Sequence, residues 1–214
     1  AGKVTNKGIE AQIAYKIIRN KDWVWEVTGN YTLNESLVSD IPTDLKEILY
    51  AGYTTLGNFA INGQPLGIIK GYQFQRYSDG QLLVGAGGDY LASTTIGIIG
   101  DPNPKYRVSG INSVTYKSLT FRFQVDYTCG GDMYSSTARS LLARGVTKDT
   151  EFDRAAPYIL PGVTADGKPN NQQVSATQGY FNNVFGPDQA GIFDATVVRL
   201  RDMSLSYALP EKLL

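Results

Sequence analysis

The side chains able to engage a ligand fall into two groups. Arg122, Gln124 and Asp126 alternate with Phe121, Phe123 and Val125, so in an extended segment all three project to one side. Tyr134, Arg144, Arg154 and Asn170 lie in the polar stretch from Cys129 to Phe193, together with Asp132, Arg139, Asp149, Asp153, Asp166, Asn171 and Tyr180. Aromatic faces beside amide, carboxylate and guanidinium groups suit the holding of a sugar. The same mixture suits a surface on which another protein docks, and no spacing among these residues separates the two.

Bond-making chemistry has little to stand on. The chain has no histidine and a single cysteine, Cys129. That removes Ser-His and Cys-His catalysis, histidine-containing zinc sites and any intrachain disulfide. No paired carboxylate or serine motif replaces them, so the chain reads as a non-enzyme with no catalytic residues, no metal and no cofactor. Asp79-Gly80, Asp101-Pro102-Asn103 and Asp166-Gly167-Lys168 lack the alternating carboxylates of a calcium loop and read as turns. Gly85-Ala86-Gly87-Gly88 has no following lysine and helix to make a phosphate loop. Lys plus Arg and Asp plus Glu both number 20, so net charge points to no nucleic-acid partner.

The elements that must position these groups are strands. In the 214-residue chain, 23 glycines and 14 tyrosines accompany 42% hydrophobic and 19% charged residues, a turn-rich β profile. Leu119 to Thr128 alternates without error. Trp23 to Asn34 alternates with Val24 alone misplaced, and Ile9 to Ile17 sets Ile9, Ala11, Ile13, Tyr15 and Ile17 against Glu10, Gln12, Ala14, Lys16 and Ile18. Tyr106 to Tyr116 is weaker, broken at Ile111 and Asn112. Each run approaches the ~10 residues with which a tilted strand crosses a bilayer. No stretch offers the ~20 apolar residues of a membrane helix, which says nothing against a barrel.

Short polar turns at Arg19–Asp22 and Lys117–Ser118 contrast with the long, Gly-, Pro- and Asn-rich stretches Glu35–Lys105 and Cys129–Phe193. That asymmetry between rims is the pattern of an outer-membrane barrel, with Trp23 and Trp25 at an interfacial girdle. Both short turns then share a rim, so an even number of crossings separates Asn34 from Lys105. Leu66 to Tyr77 reads as a strand that turns at Ser78-Asp79-Gly80 into Gln81–Gly85. Its Lys70 and Arg76 share the apolar side, which places this hairpin outside the membrane or folded toward the lumen. In Asp194 to Tyr207, a β-bulge near Arg201-Asp202 is expected, because it aligns Val198 and Leu200 with Met203, Leu205 and Tyr207. The resulting fold class is all-β: an antiparallel transmembrane β-barrel segment of about five or six strands, an open fragment of a larger barrel with long extracellular loops. The alternative is a soluble β-sandwich, a carbohydrate-binding or adhesion module whose apolar faces are buried by a second sheet.

In order and spacing, a set of landmarks resembles the C-terminal barrel region of the SusC/RagA-type TonB-dependent transporters of Bacteroidota. These are Asn6-Lys7-Gly8-Ile9-Glu10, Trp23-Val24-Trp25, Gly63-Gln64-Pro65-Leu66-Gly67, Ile99-Gly100-Asp101-Pro102-Asn103-Pro104, Gly130-Gly131-Asp132-Met133-Tyr134, and Val198 to Pro210. The resemblance implies that residues 1–214 are a partial barrel domain, without the plug domain and the last strand, ending at Leu213-Leu214 in a periplasmic turn. It also implies an outer-membrane location and nutrient uptake of oligosaccharides or peptides. The implied partners are outer-membrane lipid, a SusD-like surface lipoprotein, and TonB engaged through an upstream region. Arg122, Gln124, Asp126, Tyr134, Arg144, Arg154 and Asn170 are then the substrate- or lumen-facing candidates.

Overall fold

The computed structural model describes residues 2–210; the turn expected at Leu213-Leu214 lies outside them. Strands β1 (Lys3–Arg19), β2 (Trp23–Ser39), β3 (Glu47–Tyr53), β4 (Leu56–Ile61), β5 (Ile68–Phe74), β6 (Ala92–Gly100), β7 (Tyr106–Tyr116), β8 (Leu119–Cys129) and β9 (Asp132–Tyr134) come first. Helices α1 (Ser136–Ala143) and α2 (Gln178–Val184) precede β10 (Ile192–Asp194) and β11 (Val197–Tyr207). The long alternating segments assemble into one antiparallel sheet in the order β1-β2-β7-β8-β11. It is open, with β1 and β11 as its edges. Because β2 pairs directly with β7, zero strands cross between Asn34 and Lys105, which satisfies the expected even parity.

The turns follow their local chemistry. After β1, the Asn20 carboxamide oxygen accepts from the amides of Asp22 (3.0 Å) and Trp23 (2.8 Å), closing the hairpin. Lys117, at φ 52°, makes the two-residue turn between β7 and β8, and its amide donates to Asp22 O at 2.7 Å. The two short turns therefore share a rim.

Two bulges keep the side-chain parity correct. On β11 the register steps from Leu200 opposite Val125 to Asp202 opposite Gln124, which leaves Arg201 unpaired, as expected. On β1 it steps from Lys16 opposite Glu26 to Ile18 opposite Trp25. Unbroken alternation assigned Ile18 to the polar side; the extra residue at Ile17 returns it to the apolar one.

One face of the sheet is therefore apolar over its whole width, and the opposite face polar. Rows such as Tyr15, Val27, Asn112, Phe123 and Met203 run across the apolar face. Asn112 is a polar intruder there, and its carboxamide oxygen accepts from the Trp25 indole at 3.4 Å. Aromatic rings border this face at both ends. Trp23 packs on Tyr116 at 4.5 Å near the short turns, while Tyr106 lies 5.8 Å from Tyr31 and 6.0 Å from Tyr127 near the long ones. Tyr106 and Tyr116 bracket the eleven residues of β7. That is about 33 Å along the strand, or about 25 Å across a layer in which strands tilt by about 40°. Nothing among the described residues covers the face: Ile13 is 73% exposed and Leu205 68%.

The buried core lies elsewhere, in the segments that read as loops. Residues 35–105 continue β2 to Ser39 and then form a second sheet, β3-β4-β5-β6. Within the expected strand Leu66–Tyr77, Ile68–Phe74 forms β5, outside the five-stranded sheet, and beyond it the Tyr77 amide donates to Gln81 O at 2.9 Å, while Gln81–Gly85 makes isolated bridges instead of a strand. Lys70 is accommodated there by a 2.5 Å ion pair with Glu47 and by the Phe59 ring at 5.2 Å. Val84, Leu160, Ala176, Tyr180, Phe181 and Val184 form a compact apolar cluster that joins this region to α2. The Tyr180 hydroxyl donates to Gly88 O at 3.0 Å, and burial raises its phenol above the ordinary range.

Two motifs fasten these segments to the end of the long sheet. Asp132 Oδ2 accepts from the Asp101 amide at 2.8 Å and the Asp132 amide donates to Asp101 O at 2.6 Å. Asp101 Oδ1 accepts from the Asn103 amide at 2.9 Å, an Asx turn. Gly130 and Gly131 take φ of 73° and 84°, and a Cβ at Gly131 would stand 3.1 Å from Pro102 O. Glycine is required at 131 for both reasons.

Deleting Arg201 should leave both faces of β11 correctly paired, since the residue has no partner in the ladder. Deleting Ser204 inverts the parity of one half of the strand. In the full-length protein, heat-modifiable migration on gels is expected to survive the first deletion and vanish with the second. Asp132→Ala leaves the Asp101 amide without its acceptor, at a cost of about 1–3 kcal/mol. Hydrogen exchange should then accelerate over 99–105 and 129–134 while the centres of β7 and β8 stay protected.

Candidate functional site

The polar face of the five-stranded sheet is a ladder of hydrogen-bonding groups. Lys16 pairs with Glu26 at 2.8 Å, Asn30 donates to Ser109 Oγ at 3.1 Å, and the Thr115 and Thr120 hydroxyls lie 2.9 Å apart. Each contact joins neighbouring strands, because residues directly opposite on one face stand about 4.5–5.5 Å apart at Cβ. This face carries a concavity of about 470 Å³. Its floor is β2, β7, β8 and β11. Pro102, Pro104 and Gly130, from the fastened turns, also line it.

Asp126 sits at its centre. One carboxylate oxygen accepts from Gln124 Nε2 at 2.8 Å, and the other from Arg201 Nε at 2.8 Å. The bulge makes the second contact possible, since it frees Arg201 from the ladder opposite β8. Arg199 stands directly opposite Asp126, and Arg107, opposite Thr128, is diagonal to it on β7. The arrangement is a row of guanidinium, carboxylate and carboxamide groups along one stretch of the polar face. It offers fixed donors and acceptors along a wall, which is binding chemistry.

The seven candidates from the sequence do not converge. Gln124 and Asp126 line this concavity. Arg122 shares their face one row nearer the short turns, opposite Ser113 and Ser204. Tyr134 packs its ring against Gly191, where a Cβ would come within 2.6 Å of it. Arg144 caps α1 and lines a separate hollow of about 470 Å³ with Arg139 and Asn182. Arg154 hydrogen-bonds Gly145 O and stacks 5.2 Å over Phe181. Asn170 donates to Leu160 O at 2.8 Å and accepts from the Gln172 amide at 3.0 Å, closing its own loop. Arg107, Arg199 and Arg201 were not among the seven. The signal that marked two of them was their breach of apolar parity in β11.

The aspartate turns behave as turns. Asp79 Oδ1 accepts from the Gln81 amide at 2.9 Å, which lowers its pKa. Lys168 at 2.7 Å, with the Thr164 hydroxyl at 2.5 Å, holds the Asp166 carboxyl well below the usual range. Among the described residues no group of three or more His, Cys, Asp or Glu is placed to hold a metal ion.

Comparison with known proteins fits this geometry. No family model matches the chain. TonB-dependent receptor P3 of Formosa agariphila is 24% identical over 237 residues, covering 100% of this chain. TonB-dependent receptor P26 of the same organism is 25% identical over 235 residues, covering 98%. The chain spans 22% of the length of each. Among solved structures, the RagAB peptide transporter superposes with a TM-score of 0.62 at 19% identity, over 99% of this chain and 24% of that one. The RagAB peptide importer in its closed-closed state gives 0.63 at 18% identity, over 98% and 23%. This chain is thus similar over its whole length to a section of TonB-dependent receptors, and it has the fold of an open section of the RagA barrel.

Proposed function

We propose that the protein containing this chain is an outer-membrane importer of oligosaccharides or peptides, driven by TonB through a region outside residues 1–214. In this reading, residues 1–214 are part of its barrel domain, set in outer-membrane lipid, and a SusD-like surface lipoprotein covers the mouth. One observation carries the reading: an uncovered apolar band about 25 Å tall, bordered by aromatic rings at both ends, lies back to back with a hydrogen-bonded polar face. A water-soluble sandwich would bury that band under a second sheet. Here the second sheet belongs to the long-loop end and leaves the band open.

The relatives' names support TonB dependence, and the likeness to the RagAB peptide transporter supports a peptide cargo. The polar face, with Arg122, Gln124 and Asp126, lines the lumen. Tyr134, Arg144, Arg154 and Asn170 belong to the extracellular mouth, where they shape the loops that meet substrate or lipoprotein.

The test expresses the full reading frame and asks for outer-membrane fractionation, heat-modifiable migration and co-purification of a lipoprotein. A product that is monomeric in buffer without detergent overturns the reading. Within the barrel, Val27→Arg puts a charge at mid-height of the apolar band and should cost about 2–4 kcal/mol. Thr28→Arg, one residue on and facing the lumen, should shift the urea midpoint in lipid vesicles far less. Equal penalties for the two would contradict the assignment of faces.

A further inference from the structure

The two long connections, residues 40–105 between β2 and β7 and residues 130–196 between β8 and β11, are separate in sequence and interlocked in space. The Val84 amide donates to Val163 O at 2.8 Å and the Val163 amide to Leu82 O at 2.9 Å, so a parallel bridge runs from one connection to the other. The Tyr90 hydroxyl of the first donates to Pro161 O of the second at 2.8 Å. The Tyr180 hydroxyl of the second donates back to Gly88 O of the first at 3.0 Å. A Cβ at Gly162 would stand 2.6 Å from Leu82 O, and one at Gly71 2.8 Å from Asp188 Cβ, so neither approach leaves room for a side chain. None of these contacts involves β1 or β11, the edges of the long sheet.

Side chains of the second connection also complete the first. Asp188 and Gln189 supply the acceptors for the Tyr72 and Phe74 amides, each at 3.0 Å. Val84 packs in one buried cluster with Leu160, Ala176, Tyr180, Phe181 and Val184. Pulling the connections apart would break these hydrogen bonds and open the cluster to water in one event. Segments that share a core in this way open together, because a close-packed interior yields as a cooperative unit instead of gradually. Since one connection leaves from β2 and β7 and the other from β8 and β11, the unit spans the outer ends of four neighbouring strands.

We infer that the two connections form a single gate at the mouth, in which neither opens without the other. The inference rests on the importer reading, which puts both connections at the mouth, and it adds that two neighbouring loops act there as one lid instead of two independent ones.

Hydrogen exchange is followed by mass spectrometry on the full-length protein in detergent, as wild type and as two variants, Phe181→Leu in the second connection and Val84→Ala in the first. The reporting amides are bonded within their own connection. In the first, Gln75 donates to Leu91 O (2.7 Å) and Leu91 to Leu83 O (3.0 Å); in the second, Tyr158 donates to Val174 O (3.1 Å) and Val174 to Tyr158 O (2.9 Å). Each variant is expected to speed exchange about tenfold at all four amides, equally in the connection that carries the substitution and in the one that does not. The centres of β7 and β8 keep their wild-type rates. Acceleration confined to the substituted connection overturns the inference, as does equal acceleration of β7 and β8, or wild-type rates at all four amides in both variants. Heat-modifiable migration is read on the same preparations. Its absence in the wild type sinks the importer reading, whereas uncoupled exchange with migration intact sinks the single gate alone.

Discussion

In hydrocarbon an unpaired amide or carbonyl costs several kcal/mol, so the ladder from β1 to β11 has to be continuous before any side chain can matter. Continuity fixes strand spacing, and strand spacing fixes which residues share a face. Every other property of the long sheet follows from this. The apolar face can meet lipid because its polar backbone is spent within the sheet. The opposite face can be polar because successive side chains point to opposite sides. A slip of one residue would exchange the two faces along a whole strand. Within the segment this constraint is met everywhere except at the edges β1 and β11, where further strands of a larger barrel would pair.

The bulges show how the constraint tolerates a sequence that departs from strict alternation. Arg199 and Arg201 fall in the same parity as Val197, Met203 and Leu205, an arrangement that would cost about 2–4 kcal/mol for each arginine facing lipid. One extra residue inverts the count, and the conflict disappears. The conflict was therefore readable from residue types alone. On β1 the same device was not readable, because Ile18 on the polar side near a rim costs little and raises no alarm. Bulges are legible when the alternative is expensive and silent when it is cheap.

The long segments were illegible for a related reason. Their strands are short, with β3 and β5 of seven residues and β4 of six, and their faces are decided by partners distant in sequence. Lys70 looked misplaced on β5 until Glu47 supplied the counter-charge. Past Lys70, where the pairing with β4 ends, β5 is capped by side chains instead of a strand. Asp188 Oδ2 accepts from the Tyr72 amide at 3.0 Å, and Gln189 Oε1 from the Phe74 amide at 3.0 Å. No periodicity announces such a cap. The apolar cluster likewise joins Val84 to Phe181 across nearly a hundred residues, where local patterning carries no information. Gln124 and Asp126, by contrast, were legible as face-sharing residues because ten residues of unbroken alternation surround them.

The concavity on the polar face is where these regimes meet. Its floor is set by ladder geometry, its ion pair by a bulge, and the placement of Pro102, Pro104 and Gly130 in its lining by the Asp101–Asp132 fastening of two distant segments. Periodicity alone could place Asp126 on the wall but not Arg201 beside it, since an unbroken strand points Arg201 the other way. The arginines that breach parity in the sequence are thus the ones that the folded sheet delivers to its polar face. In β11 the charged residues out of phase mark the position where the chain departs from regular pairing.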